Sequence, residues 1–116
     1  MSYNGRLAER ARKVLAGHGD VVERQMMGAL CVVLGGHMCC GVTGSALMIR
    51  LGRDAYAQTL AEPHVRPMEI GDRPATGFVL VDADALRSDA ALADWILRAV
   101  RFVSTLPPKR SAKHSR

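Results

Sequence analysis

Apolar positions along this chain follow two periods, and the change between them divides the sequence. Over residues 4–16, Leu7, Ala11, Val14 and Leu15 fall at i, i+4, i+7 and i+8, the single stripe of an amphipathic helix. Asn4 is placed to cap its start, and Gly17 or Gly19 to stop it. After Asp20 the helical period disappears. From Arg24 to Val81 the chain is a ladder of short apolar runs cut by Gly28, Gly35-Gly36, Gly44, Gly52, Pro67, Gly71 and Gly77. Residues 21–25 read as a short strand. Residues 29–34 are apolar on both faces, as in a central strand. Gly35-Gly36-His37 offers a hairpin turn needing positive φ, and 38–43 is the return strand. Gly44-Ser45 is a Gly-first two-residue turn leading into 46–51.

Residues 54–60 predict a short helix, with Tyr56 and Leu60 one turn apart on a shared face. Residues 66–70 read as an edge strand, because Pro67 cannot donate to a ladder on both sides. Residues 71–74 read as a turn, and 77–81 as an inner strand. A second long helix spans 88–106, capped by Ser88, with Leu92, Trp95, Ile96, Ala99, Val100, Val103 and Leu106 on one side. Pro107-Pro108 ends it. The order predicts an α+β fold: an antiparallel sheet of five to six strands with an N-terminal, a short middle and a C-terminal helix packed on it.

A chain of 116 residues, 48% apolar, holds one domain with a core of its own. The domain is placed at 1–106, and 107–116 is expected to be a basic, disordered tail. The net charge of +5 is mostly that tail: Lys109, Arg110, Lys113 and Arg116 lie in it without an acid. The remaining twelve basic and eleven acidic side chains leave the domain near neutral. Nucleic-acid contact is therefore expected only through those four residues, and weakly. Five scattered aromatic side chains do not make a stacking platform for single strands. Three cysteines without a signal sequence point to reduced thiols and a cytoplasmic setting. No apolar run reaches the ~20 residues of a membrane span.

Candidate chemistry is sparse. Cys39 and Cys40 are adjacent, so a regular strand directs their side chains to opposite faces and they cannot share one ion. With Cys31 on the preceding strand and no Cys-x₂-Cys spacing, the cysteines read as core thiols, with Cys39 and Cys40 the candidates for redox sensitivity; no metal site is expected. Arg50, His64, Arg66 and Arg73 form an anion or partner surface if they converge; otherwise nearby Glu62, Glu69 and Asp72 absorb them. There is no Gly-x-Ser-x-Gly elbow, phosphate loop or helix-turn-helix. No catalytic residue or cofactor is assigned, and the chain is expected not to be an enzyme.

Arg24-x-Met26-Met27-Gly28, Leu30, Gly36 before a strand, and Leu47 to Arg50 resemble the TfoX N-terminal domain family. Here Met27 and Ala29 stand where that family commonly has Phe and Gly. His64-Val65-Arg66-Pro67-Met68, Gly71-x-Arg73-Pro74, Gly77-Phe78-Val79 and the ending Ala99-x-x-Phe102-Val103-x-Thr105-Leu106-Pro107-Pro108-Lys109 are similar to small stand-alone members, so the resemblance covers roughly 6–109. Its named members regulate natural competence in bacteria, carry a further C-terminal domain, and act with the cyclic-AMP receptor protein. The resemblance implies the fold and a regulatory or interaction role, with no catalytic residues. The expected partners are a protein or a second copy in a homodimer. The alternatives are a nucleic-acid-associated protein acting through its tail, and a small enzyme.

Overall fold

The computed structural model describes residues 3–26 and 28–107. Helix α1 spans Gly5–Leu15. The Asn4 side chain accepts hydrogen bonds from the backbone N–H groups of Arg6 and Leu7, at 2.9 and 3.0 Å, which satisfies two of the donors a helix start leaves free. Its stripe buries Leu7, Ala8, Ala11 and Leu15.

Six strands follow: β1 (Val21–Met26), β2 (Ala29–Leu34), β3 (His37–Thr43), β4 (Ala46–Arg50), β5 (Val65–Ile70) and β6 (Arg73–Val81). Helix α2 (Arg53–Leu60) separates β4 from β5, and α3 (Asp89–Ser104) closes the domain. The sheet order is β1-β2-β3-β4-β6-β5, with every neighbouring pair antiparallel. The α+β architecture is thus as the periodicity predicts, with β5 at an edge and β6 inside. Strand β6 is longer than its apolar run. It begins at Arg73, and the turn is only Gly71-Asp72. Its first two residues, Arg73 and Pro74, pair with Ile70 and Glu69 of β5 where the hairpin runs beyond the core, so this end stays exposed. A 3₁₀ turn at Ala83–Leu86, buried at Leu86, is a further element before α3.

All three helices lie against one face. Leu30, Val32, Leu34, Val42, Leu47, Ile49, Val79 and Val81 from the strands meet Leu7, Ala11 and Leu15 of α1 and Leu92, Trp95, Ile96, Ala99, Val100 and Val103 of α3. Ala55, Tyr56 and Leu60 of α2 pack on the same cluster. On the opposite face the register places Arg24, Cys31, Gly41, Met48, Leu80 and Arg66 in one row across all six strands. Its centre is closed without a helix. Met48 lies over the space left by Gly41, its Cε 3.0 Å from where a Cβ would stand, and Met48 and Cys31 are both buried.

The regular alternation expected for β3 is broken. Val32 pairs with Cys40 and Val33 with Met38, so Cys39 is the extra residue of a β-bulge. A bulge sets two residues against one and shifts the alternation. Cys39 and Cys40 consequently both belong to the helix-side core, each with no exposed surface. The assignment of these thiols to opposite faces is corrected on this ground.

Candidate functional site

The bulge is the most chemically distinctive place in the domain. Strand β4 ends beside it, and Arg50 Nη1 donates to the Met38 carbonyl at 3.3 Å. The Arg50 guanidinium also lies 5.4 Å from the ring centre of Phe78 and 5.7 Å from that of Phe102, distances at which a ring face attracts a cation. Among the described residues this cation is met by a carbonyl and two rings, with no carboxylate in ion-pair contact. The neighbouring Cys40 thiol, helped by the Arg50 charge, holds the Cys39 thiol below the ordinary thiol range despite burial. The Cys39 thiol and burial push Cys40 well up. Of the pair, Cys39 is the thiol whose ionised form the Arg50 charge favours. Burial alone pushes Cys31 up, on the far side of the sheet.

The four basic candidates do not converge. Arg66 is engaged by Asp82, with Nε at 3.0 and 3.1 Å from the two carboxylate oxygens and Nη2 at 2.7 Å. The backbone N–H of Asp82 donates to the His64 carbonyl at 2.8 Å, and His64 holds a left-handed φ of 66°. The Arg66 hydrogen bonds hold the Asp82 carboxyl below its usual range, with the Arg66 and His64 charges adding to the effect. Arg50 lies two strands and two register steps from Arg66, roughly 12 Å by sheet spacing. Arg73 is exposed beside the β5–β6 turn. Of the acids expected nearby, Glu62 binds Arg98 at 2.8 Å instead, under a guanidinium that sits 4.0 Å from the Trp95 ring centre.

The rim of the sheet carries a feature that no motif of the sequence marks. Val22, Arg24 and Met26 share the helix-free face of edge strand β1, and Val22 and Met26 are 47% and 40% exposed. Their i, i+2, i+4 spacing was the available signal. On the other face of β1, Glu23 accepts from Arg12 at 2.8 and 3.1 Å, which fixes the strand to α1.

Among the described residues no three His, Cys, Asp or Glu side chains are grouped to hold a metal ion, and no helix is long and apolar enough to cross a membrane. Lys109, Arg110, Lys113 and Arg116 lie outside the described residues.

The geometry defines a class: an α+β domain whose antiparallel sheet is covered by helices on one face and carries a bulged thiol pair with an arginine at its end. The family model for the TfoX N-terminal domain matches residues 13–103, and the chain belongs to that family. No curated protein and no solved structure matches the chain.

Proposed function

We propose that this chain is a non-enzymatic regulatory and interaction module of the bacterial cytoplasm, linked to transcription or competence control and acting as a homodimer. Family membership supports the regulatory reading. The observation that carries self-association is the apolar rim at Val22 and Met26 on the helix-free face. Contact through these side chains is the form of association proposed; joining β1 edges about a twofold centred on Glu23 or Arg24 would oppose like charges, which disfavours those two registers.

Sedimentation velocity on the full chain tests this. The expected result is a concentration-dependent dimer that Val22→Glu with Met26→Glu returns to monomer while the fold is kept. A monomer throughout the soluble range would remove the reading.

A second reading rests on the four basic residues of 107–116, which carry no acid among them. It predicts DNA binding that weakens steeply with salt and is lost on replacing Lys109, Arg110, Lys113 and Arg116 by Gln.

A further inference from the structure

We propose that Cys39 and Cys40 form a two-thiol chelating site for a soft, thiophilic ion of the arsenic(III) class. The inference rests on the bulge and is independent of the function proposed above.

The bulge supplies what adjacency in a regular strand denies, two thiols on one side of the sheet. Both are enclosed in the apolar cluster, so a bound ion would not compete with water for its ligands. The site has no third donor among the described residues that would complete a metal-binding group. Zinc takes four ligands in a structural site and three in a catalytic one, so two thiols do not suit it. A trivalent arsenical carrying one organic substituent needs only two sulfurs. Soft thiolates select soft ions over magnesium or calcium.

Closure of the pair to a disulfide is the competing chemistry, and the backbone opposes it. Adjacent α-carbons stand about 3.8 Å apart across a trans peptide, while disulfides span about 4.4–6.8 Å. Inserting an atom between the sulfurs relieves that constraint.

The two thiols are also differentiated for stepwise capture. Cys39, the bulged residue next to Met38, is the one that feels the charge of Arg50, whose guanidinium is bonded to the Met38 carbonyl. Arg50, Phe78 and Phe102 are only half-buried at this end of the sheet, so side-chain motion rather than unfolding of β3 can admit a reagent. With phenylarsine oxide, the Cys39 sulfur attacks arsenic first and Cys40 follows. Two As–S bonds form, two S–H bonds and the arsenic–oxygen bond break, and both protons leave with the oxygen as water. No element changes oxidation state.

Phenylarsine oxide is titrated into the full folded chain and read by native mass spectrometry, with the remaining thiols mapped by iodoacetamide labelling. The expected result is one adduct per chain, formed with loss of one water and protecting Cys39 and Cys40 together while Cys31 is still labelled under urea. Cys31→Ser keeps the adduct. Cys39→Ala and Cys40→Ala each weaken it by about 100-fold or more, because the second bond is then no longer intramolecular. The wild-type labelling map decides the question even where a variant unfolds. An adduct that forms only in urea, one that protects Cys31, or equal affinity in Cys39→Ala would overturn the site.

Discussion

The Phe102 ring stands directly over the α-carbon of Gly52: a Cβ there would meet Cε1 at 2.4 Å and Cδ1 at 2.8 Å. Gly52 also has φ 86° and ψ 168°, a region that only glycine enters readily. Gly52→Ala therefore meets two separate obstacles, one in its own backbone and one in the ring that flanks Arg50. The expected loss is about 3 kcal/mol by urea denaturation. Adding Phe102→Leu should recover only the steric share, and full recovery would show that the backbone is unstrained.

Gly41 is held by a harder constraint. A Cβ there would stand 2.6 Å from the Leu30 carbonyl oxygen, which belongs to the neighbouring strand, and 3.0 Å from Met48 Cε. Gly41→Ala should cost about 2–3 kcal/mol. Shortening Met48 to Ala should not rescue it, because the closer contact is backbone. Rescue in a double-mutant melt would place the conflict in Met48 instead.

Trp95 is buried in the face of α3 that covers the sheet. Trp95→Ala should lower stability by about 3–5 kcal/mol. Arg98, held by Glu62 and Asp94, lies over the same ring. Arg98→Ala should therefore cost more than a lone surface ion pair, about 1–2 kcal/mol. A loss no larger than that of Arg101→Ala would argue that the ring contact contributes nothing.

Acid should weaken the domain through two carboxylates. Arg66 holds Asp82, and Arg12 holds Glu23, below the usual carboxylate range. A carboxyl whose folded value is depressed contributes stability above its unfolded value, near pH 4, and loses it as pH falls through the folded value. Unfolding midpoints should drop as the pH falls below about 4. Arg66→Gln and Arg12→Gln should each flatten that slope, and a slope unchanged in both would assign the acid sensitivity elsewhere.

The sequence made the main elements readable because their signals are local. Asn4 and Ser88 sit next to the helices they cap, and Gly35-Gly36, Gly44 and Gly71 sit at the turns that require them. The bulge was not readable, because Met38 to Val42 has no polar residue that would mark which side faces the core. The first half of β6 was hidden for a related reason: Arg73 and Pro74 pair with β5, but Arg73-Pro74-Ala75-Thr76 buries little, so its composition is that of a turn. The engagement of Arg66 by Asp82 joins residues 16 apart, and only the β5–β6 register brings them together. Val22 and Met26 were visible as apolar residues, but their exposure depends on β1 being the end of the sheet.

Helix α2 is joined to the sheet through main chain: the N–H groups of Leu51 and Gly52 both donate to the Gly77 carbonyl, at 2.9 and 3.1 Å. A Cβ on Gly77 would stand 3.3 Å from the Gly52 carbonyl carbon, so two glycines lie back to back at this joint. A joint without side chains does not register which side chains the helix carries. The solvent face of α2 is thereby free to drift in sequence, and a new specificity can be written there without disturbing the core, provided residues 52 and 77 stay glycine.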